Sequence, residues 1–397
     1  MNAQPDRAPS LDSSTGQLST YMHGAFFLTG VGVLMLGPLL PELSQQWHLQ
    51  DSQVGMLLTA QFAGSFTGAV LLHNNLKKSL RTGSVCLAAG YTALALAAGH
   101  TAGFIPAFVA LLVGGFGIGQ LINSISLISS RRAKEKRGAA LMSLNLTWSA
   151  GALLSPLLIG LAKGHFSLQS ILLLFAAAAI LMMLYQFALV FTLSKTTAHD
   201  SVFLAALSSP PSSRRSLLLY FALVFFLYGA LENSITGWIA TFTIRYAHGT
   251  IAMGAYSTTV LWVGITAGRA AALLLLRRFS ERFVQIAAIL ATIIASLAMN
   301  AVSSQIPLLF LAAILGASLA PFIPVTSSLF LGSTHSTPRQ AGFVMATAAL
   351  GGAILPLLIG IVSQHFGSLR SALELPSAVG VLLLLCCVFA PQRGDSE

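Results

Sequence analysis

One carboxylate stands where a carboxylate is expensive. Glu232 lies in Tyr228-Gly-Ala-Leu-Glu-Asn-Ser-Ile-Thr-Gly-Trp238, inside the apolar stretch Leu217 to Ile244, and of the 11 acidic residues it alone sits well within such a run. At the centre of a bilayer an ionised carboxylate costs about 2.5–3.5 kcal/mol or more, so it must face protein or water and is a natural carrier of a proton. The bland alternative is a protonated Glu that hydrogen-bonds a neighbouring helix. Other polar groups recur at helical spacing. Gln120, Asn123 and Ser126 are spaced by three, Asn145, Trp148 and Ser149 fall at i, i+3 and i+4, and Trp262, Thr266 and Arg269 repeat the pattern. Gln61 adds an isolated amide, and Asn233 and Trp238 flank the carboxylate. Amides donate to and accept from hydroxyls, and an indole face packs against the C–H surface of a ring. Gln61, Ser126, Ser149 and Thr266 are equally of the types that glue membrane helices together.

The elements that carry these residues are long apolar helices. The chain has 397 residues, is 55% hydrophobic and only 8% charged, with a mean hydropathy of +0.80. A soluble domain carries about 25% charged residues, so the composition describes a polytopic membrane protein. Runs long enough to span fall at 21–41, 53–73, 83–100, 104–129, 139–162 and 169–193, then at 216–244, 252–276, 283–303, 306–331, 340–364 and 371–390. The expected organisation is a cytoplasmic tail at 1–20, a six-helix bundle at 21–193, a linker at 194–215, a second bundle at 216–390 and a short tail at 391–397. Cys86, Cys386 and Cys387 all lie in apolar runs and define no disulfide framework.

The net charge of +10 invites a nucleic-acid reading, but the placement of the cations excludes it. Lys163, Arg245 and Arg370 fall on one side of the runs, Arg269 lies within a run, and the rest of the 21 Lys and Arg fall on the side of the two termini. That bias predicts both termini in the cytoplasm of a multi-pass protein of a cytoplasmic (inner) membrane. Gly114-Gly-Phe-Gly-Ile-Gly119 has the look of a phosphate loop, yet no strand precedes it and it lies in a span, so its glycines are expected to pack helices. No metal-ligand cluster, nucleotide domain or catalytic triad is visible. The chain is expected to need no cofactor and to be no enzyme.

The two sets of runs repeat at a shift of about 200 residues. Ser155-Pro-Leu-Leu-Ile-Gly160 recurs as Leu355-Pro-Leu-Leu-Ile-Gly360, Gly164-His-Phe166 as His365-Phe-Gly367, Gly68 as Gly268, and Lys77-Lys78 as Arg277-Arg278. A parallel repeat points to a solute site at the bilayer midplane between the halves.

These features resemble the major facilitator superfamily over about residues 20–390. Tyr228-Gly-x-x-Glu232 with Gly237-Trp238 is similar to the seventh helix of its fucose and glucose–galactose sugar porters, Trp262-Val-Gly-Ile-Thr-Ala-Gly-Arg269 to their eighth, and Ala320-Pro-Phe-Ile-Pro324 to the Pro-rich turn of their tenth. The resemblance implies an all-α membrane protein of twelve transmembrane helices in two pseudo-symmetric six-helix bundles. It implies a monomeric transporter of a small, sugar-like solute by alternating access, coupled to protons through Glu232. Gln61, Gln120, Asn123, Asn145, Trp148, Asn233, Trp238 and Trp262 are then the expected binding residues. Arg269 is expected to serve structure or gating, paired with carbonyls or with Glu281. The chain departs from the superfamily in two places. Gly68-Ala-Val-Leu-Leu-His-Asn-Asn-Leu-Lys-Lys78 lacks the usual loop acid, although Arg277-Arg-Phe-Ser-Glu-Arg282 keeps Glu281, and no acid lies mid-helix in the first or fourth run. Ala150-Gly-x-x-x-Ser-Pro156-x-x-x-Gly160 resembles the antiporter signature and supports the rival reading of a drug or metabolite exporter. A non-transporting solute receptor on the same fold is the second rival.

Overall fold

The computed structural model describes residues 11–389 except 74, 101–102, 134–136, 194–214 and 334–337. Among the described residues every regular element is helical. The first six helices are α1 (Leu11–Trp47), α2 (Asp51–Val70), α3 (Leu76–Ala97), α4 (Phe104–Arg132), α5 (Arg137–Ala162) and α6 (Leu168–Leu193). The second series comprises α7 (Arg215–Tyr246), α8 (Ile251–Leu275), α9 (Glu281–Ala301), α10 (Gln305–Leu319), α11 (Phe322–Ser333), α12 (Pro338–Phe366), α13 (Leu369–Ala372) and α14 (Leu375–Val388).

Three differences from the sequence expectation have physical causes. The segment read as a tail over 1–20 is helical from Leu11, because α1 runs on past the apolar stretch; there Thr20 Oγ1 donates back to the Gly16 carbonyl. Residues 1–10, 391–397 and most of the 194–215 linker lie outside the described residues. The run at 306–331 is broken at Ala320-Pro321, since Pro321 and Pro324 have no N–H to continue the ladder. The last run breaks likewise, at Leu373-Glu374, just before Pro376. Among the described residues, eleven of the predicted spans are long and apolar enough to cross a membrane. The exception is α2, whose 20 residues include Asp51, Gln53, Thr59, Gln61 and Thr67. It packs against α4 and α12 along its length, so few of its side chains need to be apolar.

Glycines set the closest approaches, as expected where packing rather than hydrophobic burial joins helices. Gly115 and Gly119 of α4 sit on the Gln61 and Ser65 carbonyls of α2, and Gly64 and Gly68 sit on the Leu112 and Phe116 carbonyls in return. The same device joins α8 to α10, where Gly268, the repeat mate of Gly68, meets Ala317. Gly30 lies on the Trp148 carbonyl and Gly151 on that of Phe27; about 200 residues on, Gly229 lies on Ala348 and Gly351 on Phe226. Even the turns repeat. His48 and His248, which follow α1 and α7, are left-handed at φ 51° and 52°. Histidine tolerates that region better than most residues.

Candidate functional site

Helices α1 and α7 run through the middle of the molecule and are held there by side chains from their neighbours. Three successive α1 carbonyls each accept a hydrogen bond from a different helix. Ser155 Oγ of α5 donates to Val31 at 3.1 Å, the Tyr91 hydroxyl of α3 to Gly32 at 2.7 Å, and Gln61 Nε2 of α2 to Val33 at 3.1 Å. On α7 the Tyr228 hydroxyl donates to the Leu319 carbonyl at 3.0 Å, and its ring stacks on Phe322 with centroids 4.6 Å apart. That carbonyl belongs to the last turn before the Pro321 break, so the tyrosine satisfies a group left over by the interrupted helix.

Between these fixed helices lies a cavity of about 40 Å³. Its polar wall is Glu232, Asn233 and Thr236 of α7, and its apolar wall is Val33, Leu34, Leu58 and Phe62 of α1 and α2. Trp148 of α5 and Trp262 of α8 line it from the two remaining sides, their rings 5.6 Å apart and edge to face. Three buried polar atoms here have no hydrogen-bond partner: Trp148 Nε1, Trp262 Nε1 and Thr236 Oγ1. A buried polar atom left unpaired costs about 1–3 kcal/mol, so a region that carries three of them beside a carboxylate is built to meet a polar solute or water. At roughly 10–15 Å³ per water the cavity holds a few waters in this conformation and no larger molecule.

The cavity is closed at the end remote from the termini. Arg245 of α7 grips Asp51 of α2 with both nitrogens, at 2.8 and 2.5 Å, and Ser363 of α12 donates to the same carboxylate. Gln364 Nε2 donates to Gln50 Oε1 at 2.7 Å, and Thr59 Oγ1 to the Ala353 carbonyl at 2.6 Å. Toward the termini Arg269 of α8 donates to Ser149 Oγ of α5 at 2.7 Å.

The structure thus draws Trp148, Asn233, Trp262 and Glu232 together and leaves the other expected binding residues apart. Gln61 stands behind the cavity, tied to Val33. Gln120 is fully buried and donates to the Leu71 carbonyl at 2.7 Å, closing the end of α2. Asn123 bonds its own helix at Gly119. Trp238, 0% exposed, donates to the Pro356 carbonyl at 3.3 Å, and Asn145 is exposed. The expected pairing of Arg269 with carbonyls or Glu281 is corrected: it donates to Ser149 Oγ, and its charge bears on Glu232, while Glu281 accepts from Ser328 of α11 at 2.8 Å. Sequence reasoning missed Thr236 and the apolar wall. Thr236 follows Glu232 by one helical turn, a spacing that marks it once Glu232 is singled out. Val33, Leu34 and Phe62 carry no such mark, because apolar residues in a span look alike whether they face lipid or a cavity.

The model of the Major Facilitator Superfamily matches residues 22–330. The chain belongs to that superfamily. As a superfamily member it is a membrane transporter and not an enzyme. It is 23% identical over 389 residues to the sodium-dependent glucose transporter 1A of Mus musculus, covering 88% of this chain and 90% of the relative. It is 22% identical over 356 residues to the glucose/mannose transporter GlcP of Bacillus subtilis, with 86% and 87% covered. Among superfamily structures, a D-xylose–proton symporter superposes with a TM-score of 0.77 at 14% identity, over 96% of this chain and 99% of the other. A nucleoside transporter, NupG, superposes with a TM-score of 0.71 at 16% identity, over 96% and 100%. Superfamily membership and these superpositions together establish the all-helical transporter fold.

Proposed function

We propose that this superfamily member moves a monosaccharide or a solute of similar hydroxyl-rich chemistry across a cytoplasmic membrane by alternating access. Two six-helix halves, 21–193 and 216–390, rock about the cavity, with both termini on the cytoplasmic side and a single chain as the working unit. The observation that carries the reading is the cavity itself. Glu232, Asn233, Thr236 and two unpartnered indole N–H groups converge where α1, α2, α5, α7 and α8 meet. Hydroxyls satisfy such a set, donating to the carboxylate and accepting from the indoles. A site built to bond hydroxyls also rejects analogues that lack them, by factors up to about 10⁴–10⁵. The two curated relatives named as glucose and glucose/mannose transporters support the same class of solute.

Coupling runs through Glu232. Rocking the halves with an ionised carboxylate in a small closed cavity is opposed by the roughly 2.5–3.5 kcal/mol cost of that charge in the membrane interior. Protonation removes the charge, and solute bound beside it loads the carrier. Downhill proton flow then drives solute uphill in the same direction.

Uptake of labelled monosaccharides into proteoliposomes tests the reading, with and without an inward proton gradient, for the wild type and Glu232→Gln. Accumulation driven by the gradient and reduced to exchange in the variant is expected. Accumulation driven by a sodium gradient instead would keep the solute class and replace the coupling ion. No movement of any monosaccharide would sink the sugar reading and favour the exporter.

A further inference from the structure

The two halves differ at one place where their packing ought to match. In the second half the Tyr220 hydroxyl donates to the Cys386 carbonyl at 3.2 Å, tying α7 to α14. Its repeat mate Tyr21 gives its hydroxyl to α3 instead, sharing a 2.9 Å hydrogen bond with Ser84, and meets the corresponding helix, α6, only through its ring, 6.5 Å from that of Tyr185. A groove of about 790 Å³ opens between α1 and α6, with Tyr185 of α6 and Thr147 of α5 at its edges. The groove is far larger than the central cavity and shares no lining residue with it.

Its chemistry changes along its length. Phe27, Leu28, Ala178, Leu181 and Met182 line the deep part. Ser19, Thr20 and His23 line the end near the start of α1, where the Tyr185 hydroxyl bridges to the Gln17 carbonyl at 3.2 Å. His23 is held by Nδ1 against Thr147 Oγ1 at 2.9 Å, and its Nε2 has no partner among the described residues. No Asp, Glu, Lys or Arg lines the groove, so an occupant is held there by apolar contact and hydrogen bonds rather than by ion pairs. Leu181 and Leu184 beside it, like Met142 and Leu146 on α5, are exposed and in a bilayer face acyl chains. The groove is therefore apolar at membrane depth, polar at the interface and continuous with lipid-facing surface.

We propose that this groove seats one acyl chain of a bilayer phospholipid, with the glycerol–phosphate headgroup hydrogen-bonded by Ser19, Thr20 and His23. The lipid packs α1, which walls the central cavity, against α6. The site is independent of what the central cavity carries.

Native mass spectrometry tests it, on protein extracted from membranes of equal phosphatidylglycerol and phosphatidylethanolamine and washed in detergent. The wild type is expected to retain one phospholipid. Gly24→Leu fills the groove, and the nearest atom to its new Cβ is the movable end of Met182, so the fold should tolerate it. Ala178→Phe fills it from α6 and serves where Gly24→Leu does not give a folded, monodisperse protein. Both should lower occupancy roughly tenfold, as should His23→Ala, the scale of one lost hydrogen-bonded anchor. A wild type that is stripped as readily as the filled variants, or that carries detergent only, overturns the proposal. So does retention that none of the three substitutions changes.

Discussion

Asp51 and Arg245, 194 positions apart in the chain, meet in a bidentate ion pair that closes the cavity at the end remote from the termini. Asp51 is the first residue of α2 and Arg245 the last but one of α7, so the pair links the two halves of the sequence where the helices leave the membrane. Ser363 of α12 adds a third strand to the knot.

Arg245→Gln should loosen this end. The Asp51 side chain is 12% exposed and that of Arg245 37%, so the pair is partly screened and is worth about 1 kcal/mol. That corresponds to roughly a fivefold shift toward conformations open at this end. The check is the labelling rate of a cysteine placed at Thr59 by a membrane-impermeant thiol reagent, against Arg245→Lys. Equal rates for the wild type and both variants would remove the clasp from the mechanism.

The same clasp should respond to acid. Burial pushes the Asp51 carboxyl up, but hydrogen bonds from Arg245 and Ser363, with the Arg245 charge, outweigh it and hold its pKa below the ordinary carboxylate value. A carboxylate with a depressed pKa contributes its full stabilisation above its unpaired value of about 4 and loses it as pH falls through the lower, paired one. Labelling at position 59 should therefore be flat from neutral pH to about pH 4 and rise only below it. A rise already near pH 6 would show that a group other than Asp51 controls the opening.

Helix existence and the repeat were legible because apolar length and glycine spacing are local properties. Gly115 and Gly119 announced close helix packing in α4, and Glu232, Trp148 and Trp262 stood out as polar or amphipathic groups in apolar runs. The fate of Gln120 was not legible. Its partner is a carbonyl exposed only because α2 ends near Val70, a fact of tertiary packing. The partner of Arg269 was not legible for a similar reason: carbonyls or Glu281 were expected, and only the fold brings Ser149 of α5 across to it.

The two indole N–H groups lining the cavity should be substrate donors. Trp148→Phe and Trp262→Phe each keep an aromatic face and remove an N–H that has no partner in the closed state. If each donates to a hydroxyl of the bound solute, KM should rise about five- to tenfold, the worth of one hydrogen bond near 1 kcal/mol. Any loss of stability should come only from the packing given up by the smaller ring, because no internal hydrogen bond is lost. Uptake kinetics with thermal melting separate the two effects, and an unchanged KM in both variants would assign the tryptophans to packing.

Glycine contacts give a sharper test of packing. A methyl at Gly119 would run into the Ser65 carbonyl of α2, which is backbone and cannot swing aside, whereas nothing lies within 4 Å of one at Gly16. Gly119→Ala should cost about 1–3 kcal/mol by overpacking and lower the melting temperature, while Gly16→Ala should be neutral or slightly stabilising. Equal melting of the two would mean that α2 and α4 are less closely apposed than the structure has them.

Tyr228 joins the carboxylate-bearing helix to the broken one, and the two parts of its side chain can be separated. Tyr228→Phe keeps the ring stacked on Phe322 but leaves the Leu319 carbonyl without its hydroxyl donor, at the point where Pro321 has already removed helical hydrogen bonds. An unsatisfied carbonyl at membrane depth costs about 1–3 kcal/mol, so the variant should melt lower. Tyr228→Leu should lose the stack as well and melt lower still. The Tyr228 hydroxyl also lies within hydrogen-bonding reach of the Glu232 carboxyl, so Tyr228→Phe withdraws one of its partners but leaves the carboxyl itself in place. Proton-driven uptake by correctly folded Tyr228→Phe should keep its dependence on the gradient while its maximal rate falls. Loss of gradient dependence in Tyr228→Phe would instead make the hydroxyl part of the proton path. Full stability in that variant would show that water satisfies the carbonyl at the break.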